Sequence, residues 1–162
     1  MTKGKTPRGA APVGYLIELP FVEAAAVQYL RLWCSGPAYQ DHVWNDFASF
    51  LGPHESRLAM QNLGDLCKLI SERRSRPMMR HTVQSKCFGA DESVFANLIG
   101  AALDGEEQDT LLFAALLVDA KHALAAARSA EGFARSLKLM SPQHDQVQTH
   151  PVQQDPIPNR LH

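Results

Sequence analysis

Apolar side chains recur every three or four residues through most of the first half of the chain, which predicts a series of amphipathic helices. The first helix is expected over residues 21–35, with Pro20 at its first position, the second over 38–51 and the third from about 55 to 75. A Gly-Pro pair follows each of the first two segments and a proline follows the third, as is typical of helix ends. These three segments should therefore be separate helices joined by short turns.

The second half of the pattern predicts three more helices. One is expected through residue 103 with Gly89 or Asp91 as its cap, a second over 106–118, and a third from a cap at Asp119 to about residue 139. The middle segment of these is apolar at eight consecutive positions. Because a helix that is apolar on every side is usually surrounded by others, we expect this helix at the centre of the fold.

The pattern as a whole favours an all-α protein, a compact bundle of five or six helices in a single domain over residues 15–140. Residues 1–14 form a basic arm and residues 141–162 a tail that contains Pro, Gln and His. Both segments have few large apolar side chains, so we expect a flexible arm and a disordered tail. Residues 78–89 fit either a short helix or an irregular loop.

Composition restricts the classes of function. The chain has 162 residues, is 45% hydrophobic, and carries a formal net charge of −1, so no overall field draws it to nucleic acid. Its longest apolar run is far too short to cross a membrane. Three cysteines without paired spacing, and no leader-like apolar segment, indicate a cytoplasmic protein with reduced thiols.

Charge is sharply segregated in the middle of the chain. Residues 68–86 contain six Lys or Arg and one acid, whereas residues 91–109 contain six acids and no Lys or Arg. Such a split favours an anion-binding or partner-binding surface, or two faces that pair with each other, within one molecule or across a two-fold homodimer. The residues expected to bind a partner or anion are Arg73, Arg74, Arg76, Arg80 and Lys86.

No phosphate-binding loop, dinucleotide-binding glycine pattern, zinc-protease motif or nucleophile elbow occurs in the sequence, so we expect binding and not catalysis. The leading hypothesis is a regulatory or adaptor protein that docks a protein partner through the basic loop. Nucleic-acid binding through residues 68–86 is an alternative, although no aromatic side chain lies among these residues to stack on bases.

The thiols and one histidine suggest a further alternative, a metal- or redox-responsive regulator. Cys34, Cys67, Cys87 and His81 have the donor types of a zinc site or an iron–sulfur cluster, but no C-x2-C pair is present. Cys87, beside Lys86 and a helix start, is a candidate reactive thiol. Because free cysteines are commonly small buried apolar residues, the main expectation is that no cofactor is bound.

Overall fold

The computed structural model describes residues 13–74 and 76–142. Within these ranges the chain forms six α-helices, two short 3-10 helices and one pair of two-residue strands, which confirms the all-α fold class. The helices are α1 (Phe21–Trp33), α2 (Pro37–Phe50), α3 (Pro53–Glu72), α4 (Ala90–Leu103), α5 (Glu107–Leu117) and α6 (Ala123–Leu139). Nearly all of the predicted arm and tail lies outside the described residues. None of the described helices is long and apolar enough to cross a membrane.

Proline and glycine set the helix boundaries. Helices α2 and α3 begin at Pro37 and Pro53, which suit a first turn because that position needs no N–H donor. Gly36 has a φ of 112°, a left-handed conformation that favours glycine in the tight turn between α1 and α2. Pro20 precedes α1 as its N-cap and is not the first helical residue that the sequence suggested. The turn places the end of α1 close to the start of α2.

The core is built around α6, which packs most extensively against α3 and α4, while α1 contacts α4 and α2. Aromatic rings occupy its centre. The ring centroids of Tyr29 and Phe47 are 4.9 Å apart, and those of Phe47 and Phe133 are 6.3 Å apart in an edge-to-face arrangement. This core fixes the end of α1 relative to the middle of α3, where the candidate site lies.

The prediction that α5 is central is wrong. This helix packs mainly on α4 and α6 and buries Thr110, Ala114 and Leu117. On its outer face, Leu112 and Leu116 are 64% and 61% exposed. An uninterrupted apolar run therefore does not distinguish a surrounded helix from a peripheral helix with an apolar outer face.

The described residues between α3 and α4, 73–74 and 76–89, form an irregular loop, which for residues 78–89 is one of the two alternatives that the sequence left open. Its end is fastened by the strand pair β1 (Gly14–Tyr15) and β2 (Cys87–Phe88), which run antiparallel with Gly14 opposite Phe88. The backbone N–H of Leu16 also donates to the carbonyl of Lys86 over 2.8 Å. The loop is thus tied to the segment that precedes α1.

Candidate functional site: a thiol pair in a cationic cavity

A buried ion pair positions the loop. Arg31, near the end of α1, is fully buried, and its Nε and Nη2 donate to the two carboxylate oxygens of Glu92 in α4 over 2.7 and 3.0 Å. Arg31 Nη1 and Nη2 also donate to the carbonyls of Ser85 and Cys87 over 2.7 and 2.6 Å. A buried ion pair is tolerated when the remaining donors are satisfied in this way. Arg31 therefore connects α1, α4 and the loop.

Glu92 binds the same loop from the other side. Its carboxylate accepts hydrogen bonds from the backbone N–H of His81 at 3.0 Å, the Nδ1 of His81 at 3.0 Å and the N–H of Gly89 at 3.1 Å. Because a carboxylate only accepts, His81 must carry its proton on Nδ1. Burial by itself raises the pKa of Glu92, but the hydrogen bonds from Arg31, His81 and Gly89 outweigh it and lower that pKa. Glu92 is consequently ionised at neutral pH.

Asp91, the neighbouring acid, binds the start of the loop. It accepts from Arg74 Nη2 at 2.8 Å, from both terminal nitrogens of Arg76 at 2.9 Å and from the N–H of Met79 at 2.7 Å. Burial opposes ionisation, but the hydrogen bonds from Arg76, Arg74 and Met79 hold the pKa of Asp91 well below its usual range. Part of the charge segregation is therefore an internal pairing between the first acid of α4 and two cations of the loop.

The loop held by these acids forms one wall of a cavity of about 840 Å³, whose other walls are the end of α1 and the middle of α3. A Cβ at Gly64 would lie 3.1 Å from the ring of Trp33, so this glycine lets the indole pack closely against α3. The lining combines apolar and cationic side chains, and no Asp or Glu of the described residues contributes to it. The apolar and cationic lining residues include Leu30, Trp33, Ile70, Met78, Lys68, Arg74, Arg76 and Arg80.

Two thiols meet in this cavity. Cys34 directly follows α1 and is exposed, Cys67 lies in α3 and is buried, and both side chains line the same cavity. The hydrogen bond from Cys67 lowers the pKa of Cys34 to about 7, against an opposing effect of burial and with a smaller contribution from the charge of Arg80. The same hydrogen bond, together with burial, raises the pKa of Cys67. At neutral pH the accessible Cys34 is therefore partly ionised, whereas the buried Cys67 stays protonated.

The four proposed metal ligands do not all converge. Only Cys34 and Cys67 meet, while His81 is bound to Glu92 and Cys87 is exposed in β2 with its carbonyl accepting from the buried arginine of α1. Across the described ranges, no group of three or more His, Cys, Asp or Glu side chains is arranged to hold a metal ion.

The five basic residues proposed to bind a partner have different environments. Arg74 and Arg76 are bound to an acid of α4, and Arg80 lines the cavity beside the thiols. Arg73 and Lys86 are exposed on the surface. In the part of the chain that the structure describes, no ion pair involves Arg73, Arg80 or Lys86.

Sequence reasoning missed Arg31, although a signal for it was present. Arg31 lies four residues after Val27 on the buried stripe of α1, where both residues are almost completely inaccessible. A charged residue on an apolar stripe indicates a buried ion pair, since an unpaired charge is too costly to bury. Its partner could not be identified from spacing, because Glu92 is distant in the chain.

The fold and the site together define a small all-α protein with a thiol pair at a cationic cavity. Neither a protein-family profile, a curated protein sequence nor a solved structure matches the chain. The arrangement of the thiols and the cavity is therefore the basis on which a function is proposed.

Proposed function

We propose that this protein is redox-responsive and that Cys34 and Cys67 interconvert between a dithiol and a disulfide. The observation that carries the proposal is that an exposed thiol, which follows α1, and a buried thiol of α3 line the same cavity. This is the arrangement that thiol–disulfide exchange needs, because one sulfur must be accessible and a second must reach it.

The chemistry requires one co-reactant, a low-molecular-weight disulfide. The Cys34 thiolate attacks one sulfur of that disulfide, forms a mixed disulfide and releases the first thiolate. Cys67 then loses its proton and attacks the sulfur of Cys34, which forms the intramolecular disulfide and releases the second thiolate. The protein loses two electrons to the co-reactant, whose disulfide is reduced to two thiols.

The surroundings support the first step. The thiolate is the nucleophilic form of cysteine, and both a thiol donor and the nearby charge of Arg80 favour it at Cys34. Arg80 is held near the pair because the preceding and following loop residues, Met79 and His81, are bound to the two acids of α4. The anchored loop thus maintains the electrostatic environment of the reactive sulfur.

Redox titration tests the proposal. The protein is equilibrated in buffers with different ratios of oxidised to reduced dithiothreitol, free thiols are alkylated, and linked peptides are identified by mass spectrometry. The expected product is a monomer with a Cys34–Cys67 cross-link that forms reversibly. Because Trp33 lines the same cavity, its fluorescence should change with oxidation in a Trp44→Phe background.

Three variants make this result specific. Cys87→Ser should form the same cross-link, whereas Cys34→Ser and Cys67→Ser should each abolish it. Oxidation that yields only mixed or intermolecular disulfides of Cys87, with Cys34 and Cys67 still alkylated, would contradict the proposal.

The docking and nucleic-acid hypotheses stay predictions, and the structure changes how they should be tested. Substituting Arg74 or Arg76 would also disrupt the contacts of Asp91, so a lost partner would not identify the docking surface. Arg73→Ala, Arg80→Ala and Lys86→Ala, combined in one variant, remove exposed charge without that complication. Retention on heparin at low salt and partner capture should both weaken in this variant if the basic surface binds.

The zinc and iron–sulfur alternatives also stay predictions, which metal analysis of anaerobically purified protein tests.

A further inference from the structure

The cavity has a property that thiol exchange does not require. Among the described residues, four cationic side chains line it and no acidic residue belongs to its lining. Asp91 neutralises part of this charge through Arg74 and Arg76, but no ion pair in the described residues involves Lys68 or Arg80. A cleft lined by charge of one sign attracts ligands of the opposite sign, and its low-polarity walls strengthen that attraction.

Arg74 provides a second, independent observation. Its side chain is only 9% exposed, and Nη2 is engaged by Asp91. Its other terminal nitrogen, Nη1, is buried and has no hydrogen-bond partner among the described residues. A buried donor without an acceptor is costly and uncommon, and a ligand in the cavity that Arg74 lines would satisfy it after a small shift of the side chain.

The rest of the lining indicates what else the ligand carries. Trp33, Ile70 and Met78 contribute an apolar wall to the cavity, and the indole ring of Trp33 lies against Gly64. The volume, about 840 Å³, lies within the range of small-molecule sites. A bare inorganic ion would leave most of this wall uncovered.

We propose that the cavity binds a small molecule with an oxyanion group, a phosphate or carboxylate, directed at Arg74 and Arg80, and an apolar body against Trp33. The proposal does not depend on disulfide formation, because none of these contacts requires a thiol. Since the anion would lie near Cys34, its binding and the ionisation of that thiol should oppose each other, and the linkage must be reciprocal.

The experiment compares four probes: phenyl phosphate, inorganic phosphate, benzoate and the neutral benzyl alcohol. Binding is measured by calorimetry at constant ionic strength and by Trp33 fluorescence in a Trp44→Phe background. Phenyl phosphate or benzoate should bind at least about tenfold more tightly than inorganic phosphate or benzyl alcohol, because only these two probes engage both sides of the cavity. Which of the two binds more tightly distinguishes a phosphate from a carboxylate ligand.

Variants assign the binding to this cavity. Arg80→Met is at the surface and should fold normally, and both it and Arg74→Met should weaken binding by about tenfold or more. Lys86→Met removes the same charge away from the cavity and is the matched control, which should bind like the wild type. The Cys34→Ser/Cys67→Ser double variant should retain binding, so failure of the redox proposal would leave this one intact. Equal binding by all variants, or no preference for the aromatic anions, would overturn the proposal that the cavity binds an oxyanion ligand.

Discussion

The effect of Cys67 on the pKa of Cys34 allows a quantitative prediction for the variant Cys67→Ala. Removing this donor eliminates the largest effect on the pKa of Cys34. Of the two remaining effects, burial, which raises the pKa, is larger than the charge of Arg80, which lowers it, so the pKa should rise from about 7 to at least the ordinary value of 9.0. The inflection in the pH dependence of Cys34 reactivity should therefore move to higher pH.

The size of the change follows from two opposing factors. At pH 7, a thiol with a pKa of about 7 is about half ionised and one with a pKa of about 9 is about 1% ionised, so the variant has about 50-fold less thiolate. Each thiolate of the variant is about eightfold more nucleophilic, since nucleophilicity rises with basicity. The wild type should therefore react about sixfold faster at pH 7, the variant should react faster in strong base, and the two profiles should cross near pH ~8.

The assay is the initial rate of reaction of Cys34 with a neutral aromatic disulfide, recorded by absorbance from about pH 6 to pH 9.5. Both proteins carry Cys87→Ser, so that the exposed thiol of β2 does not contribute. Cys67→Ser is the control, because its hydroxyl can still donate and should keep the inflection close to that of the wild type. Profiles of the wild type and of Cys67→Ala that share one inflection and never cross would refute the reasoning.

Three further predictions concern stability, each measured by urea denaturation. Glu92→Gln should lower the free energy of unfolding by about 3–5 kcal/mol, because it leaves the buried guanidinium of α1 without its counter-ion, whereas the exposed Glu107→Gln should change it by less than about 0.5 kcal/mol. Because folding lowers the pKa values of Asp91 and Glu92, their ionised carboxylates contribute fully to the free energy of unfolding above the unfolded-state pKa of about 4, and this contribution is lost as the pH falls below it. The urea concentration at the unfolding midpoint should therefore decrease on acidification, and it should decrease less steeply in Asp91→Asn. Leu117→Ala in α5 should cost about 2–5 kcal/mol but Leu112→Ala less than about 1 kcal/mol, and equal losses would show that α5 is buried on both faces.

The fold was largely predictable because its boundaries depend on local chemistry. Gly-Pro pairs end α1 and α2, and the bounds predicted for both helices differ from those observed by only one or two residues. The same local reasoning failed for α5, whose outer face is apolar although it is exposed. Periodicity records which positions are apolar, whereas the path of the neighbouring helices decides which of them are covered.

The site was only partly predictable, because its contacts join distant segments. The basic loop and all three thiols were visible in the sequence, and so was the possibility that opposite charges pair. Nothing in the spacing indicates that Asp91 would bind two of the arginines, or that Cys34 would meet Cys67 and not Cys87. These pairings follow from the crossing of α1 and α3 and from the course of the loop, which propensities do not encode.

The break between basic and acidic segments has a physical cause that also links the two proposals. Acids are favoured at the start of α4 by the helix dipole, and Asp91 and Glu92 use that position to bind the loop. Arg74 connects the loop anchor to the cavity, because its Nη2 binds Asp91 while its side chain lines the cavity that contains the two thiols. Asp91 therefore limits how strongly the cavity attracts an anion, because part of the charge of Arg74 and Arg76 is already compensated. The cavity cations without an ion pair among the described residues are Lys68 and Arg80, and of these two the charge of Arg80 lowers the pKa of Cys34.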